Sequence, residues 1–226
     1  MSFTIEQKEA LAEKYLDLIL EANKVTNLTR IVDREQAMIL HLEDSLVGLD
    51  EINESPDGLY GDLGTGGGFP GVPVAIYTGR DTVLVDSVKK KMAILDNAVN
   101  ELELPNNVIT YAGRIEDLAK EKPGQFSVLS ARALSQLPSL LELASPLLKK
   151  NGRLVCYKAN ISDEERNHAL SIAEIVGMRI VSSRQVYLSD NETFREIFVF
   201  EKFKKPQIKL PRRIGLAQHD PIKPKK

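Results

Sequence analysis

Cysteine is almost missing from this chain: one residue in 226, Cys156, inside the apolar run Leu154-Val155-Cys156-Tyr157. A single thiol excludes an internal disulfide. Histidine is scarce as well, with His41, His168 and His219 far apart in sequence. These residues form no metal-ligand cluster, and no bound metal is expected. No apolar stretch approaches the length that crosses a bilayer. The opening Met1-Ser2-Phe3-Thr4-Ile5-Glu6 lacks the basic and apolar stretches of a secretory leader. The expectation is a cytoplasmic protein with no membrane partner and no obligate protein partner.

The remaining composition is that of an ordinary soluble domain. Hydrophobic residues make up 42% and charged residues 27%, enough for a continuous core without cross-links. The formal charge of −2 hides a division. Residues 202–226 carry nine Lys or Arg against the single acid Asp220, whereas the first 201 residues hold 21 basic and 31 acidic side chains. A basic tail on an acidic body suits a surface that meets a polyanion, and equally a solvated solubilising tail.

Periodicity orders the chain. Leu11, Tyr15, Leu18 and Ala22 recur at helical spacing, and Asp33 is placed to cap a second helix through Met38, His41 and Leu42 to about Leu49. Beyond a turn-rich loop at 53–58, short apolar runs at 59–60, 82–85, 107–111, 126–129 and 153–157 alternate with helical stretches. The helices are placed at 89–104, 134–149 and 162–177. That alternation predicts a parallel sheet with right-handed crossovers. Segments 179–188 and 195–203, joined by Ser189-Asp190-Asn191-Glu192, read instead as a hairpin that adds an antiparallel strand. The predicted organisation is one domain: a helical cap over 1–52, an α/β body over 53–203 and a basic extension over 204–226.

The strongest local signal is Gly61-Asp62-Leu63-Gly64-Thr65-Gly66-Gly67-Gly68-Phe69-Pro70-Gly71, directly after the first strand. A cofactor loop belongs there in an open α/β sheet. Gly66 to Gly71 fits G-x-G-x-x-G, and Asp86 lies at a suitable distance for a ribose-binding acid, as in a dinucleotide site of an NAD-dependent oxidoreductase. Asp62 to Gly68 also fits D-x-G-x-G-x-G. A carboxylate at Asp62 suits a cofactor bearing a sulfonium and an ammonium and repels a pyrophosphate. Pro70 and Pro73 also fit poorly with a long helix facing a pyrophosphate. The acidic-loop reading, that of the class I methyltransferases, is the better of the two. Asp86 at the second strand's end can accept from ribose hydroxyls or cap the next helix. Ile115 and Glu116, after the third strand, are placed to flank an adenine or to form a surface turn.

The ordered motifs resemble the ribosomal small-subunit methyltransferase G family (RsmG, also called GidB). Asn27-Leu28-Thr29 and His41-Leu42-Glu43-Asp44-Ser45-Leu46 look like its amino-terminal signatures. Asp62 to Ile76 looks like its cofactor loop, and Asp86-Ser87 with Lys89-Lys90-Lys91 like its second-strand motif. Ser130-Ala131-Arg132-Ala133, Lys158 and Pro211-Arg212-Arg213-x-Gly215 complete the series. The resemblance implies a class I S-adenosylmethionine-dependent fold (Rossmann-like) and methylation of N7 of guanine 527 in 16S rRNA. The substrate would be that RNA or the small ribosomal subunit. It carries over Gly64, Phe69, Ile115, Glu116 and Arg132 as cofactor contacts, with Asp62, Gly66, Asp86 and Ser87 beside them. His41, Asp44, Arg132 and Lys158 are positioning candidates, and Asn27, Lys209, Arg212 and Arg213 RNA-contact candidates. Ala159, Gly67 and the tail residues Ala217, His219 and Asp220 depart from the family pattern. The rivals are a same-fold methyltransferase with another substrate, the oxidoreductase, and a non-catalytic RNA-binding module.

Overall fold

A computed structural model describes residues 3–224 of the chain. Seven strands form one sheet in the order β3-β2-β1-β4-β5-β7-β6. Strands β1 (Tyr60–Leu63), β2 (Thr82–Asp86), β3 (Val108–Ala112), β4 (Phe126–Arg132) and β5 (Leu148–Lys158) run parallel. β7 (Phe194–Lys202) runs antiparallel to both β5 and β6 (Met178–Tyr187). This is the mostly parallel sheet with a terminal hairpin that the alternation predicts.

Helices cover both faces. α1 (Ile5–Asn23) starts with a capping box in which the Thr4 side chain and Gln7 satisfy each other's backbone N–H groups. Its buried stripe is Ala12, Tyr15, Leu16 and Ile19, one residue round from the expected one; only Tyr15 is shared. α1 and α6 (Lys89–Asn100) pack on one face with Phe69, Val72 and Leu84. α7 (Ile115–Glu121), α8 (Leu137–Ala144) and α9 (Asp163–Ala173) cover the other, against Val83, Leu129 and Leu154.

The predicted helix over 33–49 is more broken than expected. Asp33 does cap α2 (Arg34–Ala37), accepting from the Gln36 N–H at 2.8 Å. The chain then widens into a π-helical segment (Met38–Glu43) before α3 (Asp44–Leu46) and, past Gly48, α4 (Leu49–Asn53). π-segments are short insertions that re-aim side chains and concentrate at functional sites. Here the segment holds His41 and runs into Asp44. The predicted helix over 134–149 is also corrected. Pro146 has no N–H to donate, α8 ends at Ala144, and residues 148–152 already belong to β5. α5 (Gly71–Thr78), α7 and α10 (Leu216–His219) were not anticipated; α5 is buried on nearly all sides, so no amphipathic stripe marks it.

Gly177, beyond α9, has φ +75°, and a Cβ there would overlap the Lys204 carbonyl. Gly79, beyond α5, has φ +68° with open space around it. Gly79→Ala is therefore expected to cost about 1 kcal/mol, the left-handed backbone alone. Gly177→Ala should cost at least about twice that, read as the larger drop in Tm by thermal unfolding. Equal drops would contradict the packing at Gly177.

Candidate active site

The carboxyl ends of β1 to β4 open into a cleft of about 400 Å3, a volume within the range of small-molecule sites. Its floor is the glycine loop. Thr65 N–H donates to the Val85 carbonyl at 2.9 Å, and Gly66 N–H to the Asp86 carboxylate at 3.2 Å. Gly66 has φ +58° and an open environment, so the backbone itself faces the cleft. Gly68 is needed for a different reason: a Cβ there would overlap the hydroxyl of Tyr15, which donates to the Gly67 carbonyl at 2.9 Å. α1 thereby pins the loop from the cap side.

Most of the expected cofactor residues converge. Gly64, Gly66 and Phe69 follow β1, Asp86 and Ser87 follow β2, Ile115 and Glu116 follow β3, and Arg132 ends β4; all line the cleft. Asp86 also accepts from the Val88 N–H at 2.9 Å, a bond in the turn before α6, whose N-cap position is Val88 and has no side-chain cap. A carboxylate offers about four lone-pair positions, and the two backbone bonds leave room for hydroxyl donors. Glu116 lines the wall while its carboxylate accepts from the Gly215 N–H at 2.8 Å, which brings Gln218 of α10 to the rim.

The cap supplies the remaining wall. His41 is buried, hydrogen-bonds through Nε2 to the Thr29 hydroxyl at 2.9 Å, and stacks on Phe69 with centroids 4.5 Å apart and planes 6° apart. Asp44 lies beneath, 1% exposed. Its carboxylate accepts from Arg132 at 2.7 Å and from Arg195 at 2.8 and 3.1 Å. Arg132 also donates to the Leu40 carbonyl at 3.1 Å. The contacts of Asp44 are those of a lock between cap and sheet.

Besides Asp44, six expected residues lie outside the cleft. Asp62 does not reach the cleft. It is 1% exposed below the loop, accepting from the Ser130 hydroxyl at 2.6 Å and the Gly71 N–H at 3.0 Å. Ser130 is its partner across the β1–β4 ladder, so the pairing register makes the contact. Lys158 pairs with Glu165 at 2.8 Å and donates to the Ser135 carbonyl, tying β5 to α9 beside the cleft. Arg212 makes a bidentate pair with Glu142, both bonds 2.7 Å, and donates to the Asp220 carbonyl. Asn27, Lys209 and Arg213 are exposed and line none of the cleft.

Sequence reasoning missed Arg195, Leu134 and Gln218, and singled out Thr29 only as part of a signature. Arg195 lies 151 residues from Asp44, and nothing local marks the pair. Ala133 has φ +54°, a turn that brings Leu134 over Gly64; no turn residue announces it.

The family model described as rRNA small subunit methyltransferase G matches residues 8–190. A protein of that name from Streptococcus agalactiae serotype III is 33% identical over 227 residues, covering 98% of this chain and 94% of that one. Another from Fusobacterium nucleatum is 34% identical over 218 residues, covering 96% and 93%. The chain belongs to the rRNA small subunit methyltransferase G family. Solved structures share the fold at low identity. A putative sarcosine dimethylglycine methyltransferase from Galdieria sulphuraria aligns with TM-score 0.58 at 10% identity, covering 76% of this chain and 89% of that one. The geranyl diphosphate C-methyltransferase of Streptomyces coelicolor, solved with S-adenosyl-L-homocysteine, gives 0.56 at 13%, covering 71% and 80%. The fold is that of the class I methyltransferases, and the dinucleotide reading of the glycine loop is set aside.

Two titrations in this methyltransferase G family member, one below the cleft and one in its wall, oppose each other. Burial raises the Asp62 carboxyl from 3.8 to about 6. Burial, with Arg132 adding to it, lowers His41 from 6.5 to about 4. Unfolded Asp62 ionises before folded Asp62, so its contribution to stability falls as pH rises from about 4 to about 6. Unfolded His41 takes its proton before folded His41, so its contribution falls as pH drops from about 6.5 to about 4. Each is worth up to about 3 kcal/mol. Urea unfolding across this window should show Asp62→Asn gaining on the parent as pH rises and His41→Gln gaining as pH falls. A stability difference that ignores pH would refute the shift at that residue.

Proposed function

We propose that this chain methylates N7 of guanine 527 in 16S rRNA, taking the methyl group from S-adenosylmethionine by direct in-line transfer without a general base. The observation that carries the reading is the cleft: an exposed glycine backbone, a carboxylate with free lone pairs at Asp86 and an apolar wall at Ile115. That set suits an amino-acid-bearing nucleoside: Asp86 for the ribose hydroxyls, Ile115 against the adenine and the Gly64–Gly66 backbone for the polar remainder. The substrate in this reading is rRNA in the cytoplasm, as free RNA or within the small subunit. Among the described residues no helix is long and apolar enough to cross a membrane.

When bound, the cofactor supplies a methyl carbon attached to a positively charged sulfur; the N7–C bond forms as the S–C bond breaks. N7 carries a lone pair and no proton, so nothing needs to be deprotonated. The residues around the cleft are suited to orientation. His41 stays neutral in the working range because burial holds it near 4, and its stack on Phe69 stiffens the wall. Arg132, Lys91 and Arg114 give the mouth a cationic lining. Alignment of the reacting atoms is worth up to about 7–11 kcal/mol in favourable systems.

In the same reading, exposed Lys209 and Arg213, with Asn27 beside the Leu28-Thr29 wall, contact RNA, and phosphate contacts there fix register without reading sequence. Arg212 drops out of that set because Glu142 holds it. The cap over 1–52, the methyltransferase body over 53–203 and the extension over 204–226 are read as one cooperative unit. The ion pairs from Asp44 and Glu142 support this.

The test is a methylation assay on small-subunit RNA with the modified atom mapped. N7 of guanine 527 should be labelled, and the single-turnover rate should stay flat from about pH 7 to about pH 8.5, because no general base titrates. Asp86→Ala should weaken cofactor binding at least about tenfold with RNA binding retained, a loss of about 1.4 kcal/mol. A methyl group on another atom, or a rate that rises with a pKa in that window, contradicts the reading.

A further inference from the structure

A second concavity, about 830 Å3, lies at the opposite edge of the sheet, where β5 begins and the chain leaves β7. Lys149 and Lys150 stand on one side, and Lys202, Lys204 and Lys205 on the other, above an apolar floor that includes Pro146 and Leu148. Among the described residues no Asp or Glu lines it. Five lysines without a lining carboxylate are a strong local excess in a chain whose formal charge is −2.

The cations are largely uncompensated. Lys204 pairs with Glu174 at 2.8 Å. Among the described residues Lys149 donates only to the Asp57 backbone carbonyl. Lys150 and Lys205 are exposed, with no side-chain partner among the described residues. Lys202 is 8% exposed, and its ammonium meets only neutral acceptors, the Ser145 hydroxyl and the Val176 carbonyl at 3.3 Å. A buried ammonium without a counter-charge is costly, and an anion in the groove would relieve that cost.

We propose that this groove binds the phosphate backbone of the substrate RNA, as a second contact on the side of the sheet away from the methyl-transfer cleft. The proposal rests on the rRNA reading above. Ammonium groups act as point charges on phosphates and release condensed counterions without reading bases. The start of the basic extension, through Lys204 and Lys205, is itself part of the lining, and the rest of it carries the same sign of charge and so is no counter-ion for the groove. β4 separates the two sites by a strand length, roughly 20 Å, so folded RNA spans both while a short oligonucleotide reaches only one.

The experiment measures binding of transcribed small-subunit RNA over a salt series for the parent, Lys150→Gln/Lys205→Gln and the corresponding double Arg variant. The Gln pair should bind about tenfold more weakly near 0.1 M salt and lower the log K against log salt slope by about 1.5. The Arg pair should match the parent. Tm and S-adenosylmethionine affinity should not change, and neither should binding of a short target oligonucleotide. An unchanged slope, in a parent that methylates RNA, overturns the groove alone. A parent that neither binds nor methylates RNA overturns the groove and the rRNA reading together. An unchanged RNA slope with weakened oligoglutamate binding assigns the groove to an acidic protein and overturns the proposal.

Discussion

One carboxylate joins the parts of this molecule that make the cleft. Asp44 comes from the cap, Arg132 from the end of β4 and Arg195 from β7, and the three meet out of water. A buried ion pair gives little net stability against an apolar substitute, but removing one partner is costly because a charge is left uncompensated. The interaction therefore specifies geometry. With one acid between two guanidiniums, the cluster keeps an excess positive charge, and Arg132 directs it to the cleft. Docking the cap here also brings Leu28, Thr29 and His41 over the glycine loop.

The loop is held from both sides. Below it, Tyr60, Ser130 and Asp62 form a hydrogen-bonded chain across the β1–β4 ladder, ending on the Gly71 N–H. Above it, Tyr15 fixes the Gly67 carbonyl, and the His41–Phe69 stack covers the apolar side. The backbone between is free to meet a ligand without rearranging, which limits the ordering cost of binding. The carboxyl-terminal segment shares this logic. Arg212 is neutralised by Glu142, and the Gly215 N–H donates to Glu116, so part of the basic extension straps the cleft while Lys209 and Arg213 are exposed.

The sheet and most residues that line the cleft are legible because their signals are local. Apolar runs at β1 to β5, the glycine loop after β1 and Asp86 after β2 each stand within a few residues of what they determine. The failures have a common cause in long-range contacts. Asp62 reads like a ligand because it sits in a ligand motif, yet its register opposite Ser130 turns it into the sheet. Arg212 reads like a free cation because Glu142 is 70 residues away. The helix over 134–149 was overextended because Leu147 and Leu148 continue its apolar run, although Pro146 interrupts the hydrogen-bond ladder. The lysine groove was invisible, since Lys150 and Lys205 become neighbours only through the β5–β7 pairing.

Asp44 shapes the cleft without lining it, through Arg132 and the docked cap. Calorimetric titration of S-adenosylmethionine into Asp44→Asn, with folding checked by circular dichroism, tests that most directly. Asparagine carries no charge and leaves both guanidiniums uncompensated, so the folded variant should lose at least about tenfold in cofactor affinity, about 1.4 kcal/mol. A folded variant that binds the cofactor as the parent does would contradict the account.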